Sequence, residues 1–418
     1  MSAVAVKAAS VERGRTPGLR ILAFAYACAP REGSEPGVGW AWARMLAHLG
    51  DVWVITRENN RTAIEERLPS VPEHDRLQFV YVDLPSWARF WKRGQRGIRI
   101  YYLLWQAAAL WRARRLSQTT RFDLAWHLTL ANAWLGSLAP LVAGRFVYGP
   151  VGGGVAPPWQ LLRVLGWRGG AHEVLRAGAR LLGRLASPLA LLAWRRADLI
   201  LVQNPETLAW LPRRYRAKAR VFPNVVLEEA ARGRTASDSR TALFAARLVA
   251  WKGGALAIRA IAKAPGWSLL ICGSGPDERR LRRLAARLNV GDRIRFLGRL
   301  PREELLRLME EEAAVLLHPS LREDAGFVVA EAAARALPVV CLQRGGPPLL
   351  AGRAVVAVSP RGPINDVVLR LAGGLDQARQ LAEKGIASTE RAPRRVTHEL
   401  RRLDRGVFAA PSAEAVHA

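Results

Sequence analysis

Short apolar runs alternate with amphipathic stretches along this chain, and they do so in two successive sets. In the first half the runs are residues 20–25, 51–56, 77–83, 122–127, 145–148 and 199–203; in the second they are 241–245, 268–272, 293–297, 313–317, 338–342 and 354–358. Helical patterns such as residues 276–288 and 302–312 lie between them. Apolar strands separated by helices build parallel sheets covered on both faces. Two such sets in 418 residues exceed what one core absorbs, so the predicted fold is α/β, with two doubly wound, Rossmann-like domains facing a central cleft. The expected boundaries are a disordered lead-in over 1–19, a first domain over 20–222, a linker over 223–240, a second domain over 241–385, and a helix and tail over 386–418 returning to the first domain. In such an arrangement a ligand sits outside the carboxyl ends of the strands.

Charge narrows the partners. The net charge is +28 with only six lysines, so the excess is arginine. Residues 1–222 carry +18 of it and residues 223–418 carry +10. A basic chain of this kind suggests nucleic acid first, but no zinc-finger or RNP signature occurs, and arginine- and alanine-rich usage also follows from a GC-rich genome. No run of ~20 uncharged apolar residues is present, so no membrane-spanning helix is expected; the best candidate, residues 181–202, is broken by Arg184, Arg195, Arg196 and Asp198. The first 20 residues lack the apolar stretch of a signal peptide. Cys28, Cys272 and Cys341 are odd in number and widely spaced, which argues against a disulfide framework or a zinc site.

Three segments of the second half carry chemistry. In Ala245-Ala246-Arg247-Leu248-Val249-Ala250-Trp251-Lys252-Gly253-Gly254 a strand ends and two cations follow on a short loop. A planar guanidinium and a compact ammonium there can close on a diphosphate from two sides, although loop cations are more often solvated. In Ile271-Cys272-Gly273-Ser274-Gly275-Pro276 a strand enters a Gly-Ser-Gly turn whose glycines allow close backbone approach. In the segment from His318 to Glu331, Glu323 sits on the loop after a strand and Glu331 about two turns into the next helix. The free N–H groups of that helix start, at Ala325, Gly326 and Phe327, attract an anion.

Arg247 and Lys252, the Gly273-Ser-Gly275 turn, the Phe296-Leu297-Gly298 strand end, the two glutamates eight apart, and Leu337-Pro-Val-Val-Cys341 followed by Gly345-Gly346 occur in family order. Together they resemble the C-terminal domain of the retaining GT-B glycosyltransferases of family 4 (group 1). The first half resembles a bacterial subgroup of that family, through the Ser34-Glu35-Pro36-Gly37-Val38-Gly39-Trp40 loop, the strand end at His127 and the Gly149-Pro150-Val151-Gly152-Gly153-Gly154 run. Two positions depart from the pattern: Val225 follows Pro223-Asn224 where a glycine is usual, and Pro348-Leu349 replaces an acidic residue.

The resemblance implies a hexose-type transfer, with retention, from a UDP- or GDP-linked sugar to a lipid-linked or polysaccharide acceptor in cell-envelope or exopolysaccharide synthesis. It implies an acceptor-binding first domain and a donor-binding second domain. Arg247 and Lys252 would relieve charge on the leaving diphosphate, His127 and Glu323 would contact the donor sugar, and Glu331 would hold the ribose. Gly37, Gly39, Gly273, Gly275, Phe296, Leu297, Ala325, Gly326 and Phe327 would line the donor. No Asp-x-Asp occurs, so metal independence and no cofactor are expected. The expected location is cytoplasmic, at the inner face of the cell membrane, with an anionic membrane surface and no nucleic acid as partner. Residues 87–115 hold eight Lys or Arg and no acid, together with seven aromatics, and residues 159–197 hold seven Arg against Glu173; both stretches suit a headgroup region. A nucleotide-sugar epimerase of the same fold and a non-catalytic basic binding protein are the alternatives.

Overall fold

The computed structural model describes residues 18–30, 33–85, 97–227, 239–384, 391, 393–403 and 406–408. Trp87, Arg89, Phe90, Trp91, Lys92, Arg93 and Arg96, the lead-in up to residue 17, most of the linker and the end of the tail lie outside them.

The first sheet has seven strands: β1 (Leu19–Phe24), β2 (Gly50–Thr56), β3 (Leu77–Tyr81), β4 (Leu124–His127), β5 (Arg145–Val151), β6 (Leu199–Val202) and β7 (Ala219–Val221). Their order is β3-β2-β1-β4-β5-β6-β7, and every pairing is parallel. The second sheet has six: β8 (Thr241–Ala245), β9 (Ser268–Cys272), β10 (Ile294–Gly298), β11 (Val315–His318), β12 (Val339–Leu342) and β13 (Val355–Val358). Their order, β10-β9-β8-β11-β12-β13, is again wholly parallel. The twelve apolar runs all become strands; only the three-residue β7 carries too little pattern to be read. Each sheet is buried on both faces, with Trp40, Trp42 and Trp126 in the core on one side of the first and Tyr101, Tyr102 and Trp105 on the other.

Both sheets reverse their winding direction between the first strand and the fourth, at β1/β4 and β8/β11. Loops leaving adjacent strands there turn to opposite faces and open a crevice, where ligands of such sheets bind. The chain passes between the domains twice. Residues 222–227 are fastened by Trp42 Nε1 donating to the Asn224 carbonyl at 2.7 Å and by Arg391 Nε donating to the Val225 carbonyl at 2.7 Å. The helix Pro393–Leu403 packs on the helix Ser34–Ala47, and Phe408 stacks on Trp126 at 5.7 Å between ring centroids.

Two expectations change. The glycine-rich segment after β1 is the first turn of the helix Ser34–Ala47, with Pro36 early in it, not a loop. Tyr101, Tyr102 and Trp105, read as headgroup aromatics, are core: they pack around Tyr26, and Trp105 Nε1 donates to the Val82 carbonyl at 2.9 Å. Among the described residues, no helix is long and apolar enough to cross a membrane, and the three cysteines are buried and unbridged.

Candidate functional site

A cavity of about 640 Å³ opens between the two sheets at the carboxyl ends of β8 and β11. The β8 loop brings Arg247, Trp251 and Lys252 to it, and the β11 loop brings Arg322, Glu323 and Asp324. Ala325, Gly326 and Phe327 complete that wall. Gly326 has φ +111° and precedes the helix Phe327–Ala334, so the left-handed turn that aims this helix start at the cavity needs a residue without Cβ.

Lys252 donates through Nζ to Glu323 Oε2, and His318 Nε2 lies 3.4 Å from the same oxygen. Burial pushes the Glu323 carboxyl up, but the ammonium of Lys252 and the His318 ring outweigh it and hold the pKa at about 2. Arg247 lies over the Trp251 ring at 5.8 Å, Arg322 over the same indole at 4.7 Å, and His172 stacks on it at 5.8 Å. Arg176 also lines the cavity. Four cations therefore line it beside Glu35, Glu323 and Asp324, and Lys252 and Arg322 are paired with Glu323 and Glu173. A ligand carrying two or more negative charges can compete for those pairs.

A second chamber, of about 230 Å³, lies on the first-domain side and is lined by Tyr102, Leu130, Asn132 and Gly152 among others. Glu35, Gln203 and Asp324 line both cavities. Glu35 Oε2 accepts from the Leu130 N–H at 3.1 Å. Burial pushes its carboxyl above the ordinary range; the Leu130 N–H works against this, and the nearby Asp324 adds to it.

The domains are tied beside these chambers. Asp324 Oδ1 accepts from the Gly153 N–H at 2.9 Å, Asn204 Nδ2 donates to the Asp324 carbonyl at 2.7 Å, and the Gly345 N–H donates to Glu206 Oε1 at 3.0 Å. Arg322 Nη1 reaches Glu173 Oε1 at 3.1 Å. The Gly152–Gly154 run permits this approach: a Cβ on Gly152 would stand 2.8 Å from the Asp324 side chain, and Gly153 has φ +96°.

Arg247, Lys252, Glu323, Ala325, Gly326 and Phe327 thus converge, and the other candidates do not. His127 is buried, with Nε2 at 2.5 Å from the Tyr102 hydroxyl and Nδ1 at 2.7 Å from Ser137 Oγ. Both nitrogens are engaged and burial lowers its pKa to about 3, and the ring stands directly behind Tyr102, which lines the second chamber. Glu331 is buried outside the lining of this cavity, and its Oε1 accepts from Arg302 Nε at 2.8 Å. Gly273 and Gly275 do not reach the cavity. A Cβ on them would come within 1.9 Å of the Ala246 carbonyl and 2.3 Å of the Leu248 carbonyl, so they let the turn pack under the Arg247 loop. Gly39 does the same against the Ala27 carbonyl, at 2.0 Å, while Gly37 sits in the first turn of its helix. Phe296 lies under Arg282 at 4.1 Å, and Leu297 packs on the core beneath the second sheet.

Sequence reasoning passed over Glu35, Asp324, Arg322, Trp251 and Arg176. Glu35 and Asp324 stood inside quoted motifs, and only their placement on both chambers gives them weight. Arg176 is one arginine among many and carried no signal.

Residues 227–380 match the family model described as Glycosyl transferases group 1. A D-inositol 3-phosphate glycosyltransferase of Corynebacterium diphtheriae is 30% identical over 227 residues, covering 47% of this chain and 52% of the relative. The lipopolysaccharide core biosynthesis glycosyltransferase LpsE of Rhizobium meliloti is 29% identical over 199 residues, covering 44% and 56%. The chain spans about half the length of these curated relatives. Among solved structures, sucrose-phosphate synthase from Thermosynechococcus elongatus aligns with TM-score 0.60 at 18% identity over 94% of this chain and 100% of that one. Anabaena Alr3699/HepE in complex with UDP aligns with TM-score 0.55 at 16% identity over 92% and 99%. The second domain is similar to the group 1 glycosyl transferase domain, and the fold of the whole chain is GT-B.

Proposed function

We propose that this protein is a retaining glycosyltransferase that moves a hexose-type sugar from a UDP- or GDP-sugar to a lipid-linked or saccharide acceptor of the cell envelope. The observation that carries the reading is the convergence of Arg247, Lys252, Glu323 and the Phe327–Ala334 helix start on one cavity between the sheets. The family match over residues 227–380 supports it, and so does the UDP bound in the Anabaena structure of like fold.

In this reading the nucleotide diphosphate lies against Arg247, Lys252 and the helix start, and the sugar reaches toward Glu323. The bond from the anomeric carbon to the diphosphate oxygen breaks, and the acceptor oxygen bonds to the same face of that carbon. The acceptor's proton passes to the departing phosphate oxygen. Positive groups aimed at the diphosphate stabilise charge where it develops, without rearrangement at the moment of reaction. The reading includes peripheral association with an anionic membrane face, where a lipid-linked acceptor is held.

The test is a hydrolysis and transfer assay over UDP-, GDP- and ADP-sugars, with the anomeric product assigned by NMR. Release of nucleoside diphosphate from one donor class supports the reading. A free epimerised nucleotide sugar would assign the epimerase alternative, and no turnover with any donor would leave a binding protein.

A further inference from the structure

The helix Gly166–Ala186 has its polar and apolar faces reversed relative to an ordinary surface helix. Glu173, Arg176 and Arg180 point into the protein: Glu173 pairs with Arg322 at 3.1 Å, Arg176 Nη1 donates to the Val155 carbonyl at 3.1 Å, and Arg180 Nη2 donates to the Gly154 carbonyl at 2.6 Å. The opposite side carries Val174, Leu175, Leu181, Leu182 and Leu185, with Leu175 and Leu185 each 75% exposed and Leu182 67%. At 100° per residue these five side chains fall within one stripe about 120° wide. Trp159 and Trp167, near the start of the helix, are also exposed. Single exposed leucines need no explanation, but a continuous stripe on one helix marks a surface that meets an apolar phase.

The helix cannot roll to bury this stripe. Its three inward charges are tied to the cleft, and Gly183 sits against Trp134, where a Cβ would meet the Trp134 Cβ at 2.8 Å. The stripe is therefore held outward by the same contacts that shape the cavity.

Charge selects the occupant. Residues 159–197 contain seven arginines and one acid, Glu173, and Glu173 is buried. Arg163, Arg195 and Arg196 are exposed. These arginines belong to the same basic segment as the stripe, so a symmetric contact with a second copy would bring two segments of like charge together, whereas an anionic bilayer complements both the stripe and the charge of its segment.

We propose that the outward stripe of the Gly166–Ala186 helix is a membrane-docking surface that lies in the headgroup–acyl boundary of an anionic bilayer. The inner face of the same helix supplies Arg176 to the cavity, so docking would set the catalytic cleft roughly one helix diameter, ~10 Å, from the lipid surface. This deepens the proposed function by naming the face through which a lipid-linked acceptor arrives, and it rests on that reading only for the acceptor.

The full-length protein is sedimented with vesicles of phosphatidylglycerol and phosphatidylcholine, and with phosphatidylcholine alone, at low and high salt. The wild type should partition onto the anionic vesicles, with a residue of binding surviving high salt. The triple substitution Leu175→Gln, Leu182→Gln and Leu185→Gln should weaken partitioning at least about tenfold, and Arg163→Ser, Arg195→Ser and Arg196→Ser should remove mainly the salt-sensitive part. UDP and GDP binding, measured by calorimetry without lipid, should be unchanged in both variants. As a second readout, an environment-sensitive dye on Leu182→Cys should shift on anionic vesicles, and the same dye on Asp292→Cys should not. A triple leucine variant that partitions like the wild type, or a wild type that binds no vesicles, overturns the proposal. Self-association of the wild type abolished in the leucine variant would give the stripe to a second copy. Loss of nucleotide binding in the wild type would fail the proposed function while leaving the vesicle result standing by itself.

Discussion

Lys252 and Glu323 form an ion pair across the interdomain cavity, the ammonium donating to Glu323 Oε2, although they lie 71 residues apart and leave different strands. β8 and β11 are neighbours in the sheet, so their loops start side by side and diverge from a common point. The pair neutralises Lys252 until a more highly charged group competes for it. A diphosphate entering beside Arg247 is such a group, so donor binding should share or break the pair.

Arg247→Ala and Lys252→Ala should each lower kcat with a competent donor by roughly 10²-fold or more, because each removes positive charge from the departing diphosphate. Steady-state kinetics decide it. A rate within about twofold of the wild type in either variant removes that residue from the assigned role.

The pH dependence of stability follows from the same pair. Glu323 titrates at about 2 in the folded protein against an ordinary 4.5. A depressed carboxylate contributes stability that is fully present above the unfolded value and lost as pH falls through the folded one. Thermal melts should show a stability decline between about pH 5 and pH 2 in the wild type that is shallower in Glu323→Gln. Parallel pH curves for the two proteins would show that the pair adds nothing to the acid limb.

Asp324 ties the two domains through both its side chain and its backbone. Its side chain accepts from the Gly153 N–H, and its backbone carbonyl accepts from Asn204. Asp324→Ala leaves the Gly153 N–H without its acceptor and opens space between the domains. The expected result is a donor KM raised about five- to tenfold with a smaller change in kcat, and a larger radius of gyration in solution scattering. An unchanged radius together with an unchanged KM would mean that the remaining contacts, including Arg322 to Glu173, hold the domains without it.

Turnover should survive excess EDTA and gain little from magnesium or manganese. The motivation is the set of cations already facing the cavity, Arg247, Lys252, Arg322 and Arg176, together with a sequence that lacks Asp-x-Asp. Abolition by EDTA with rescue by one divalent ion is the outcome that sinks this expectation.

The sheets were legible because hydrophobic burial writes itself locally: each buried parallel strand is a short apolar run such as residues 268–272 or 338–342, flanked by turn residues. The cations and Glu323 were legible because they stand in strand-end motifs that occur in the order of the family this chain resembles. Orientation was not legible. Whether His127 faces the cavity or the core depends on Tyr102 and Ser137, which come from elsewhere in the chain. Gly273 and Gly275 satisfy the same local pattern whether a ligand or the Ala246–Leu248 backbone is the neighbour. The aromatics at 101, 102 and 105 share a segment with many arginines, and only the tertiary packing shows that they face inward. The leucines of the Gly166–Ala186 helix fit a core pattern equally well, so their exposure could be learned only from the structure.

Glu35 supplies the last prediction. It lies between the two chambers, and its carboxyl is held above the ordinary range by burial, with Asp324 adding to the shift against the pull of the Leu130 N–H. A carboxylate raised in the folded state contributes stability that is present below its unfolded pKa and lost as pH rises through the folded value. At neutral pH, above the ordinary carboxyl value, this group therefore leaves the wild type less stable than it would be at low pH. Glu35→Gln keeps an oxygen for the Leu130 N–H and removes the charge, so at pH 7 the variant should melt at or above the wild-type temperature. Transfer to an acceptor should nevertheless fall, by roughly tenfold or more, if this carboxylate orients the incoming hydroxyl at the boundary of the chambers, while nucleoside diphosphate binding stays intact. Two measurements settle it: a melting curve at pH 7 and pH 4, and a comparison of transfer with nucleotide binding. A variant that is less stable at pH 7 and transfers normally would mean that Glu35 is a structural anchor for the Leu130 loop and has no part in the reaction.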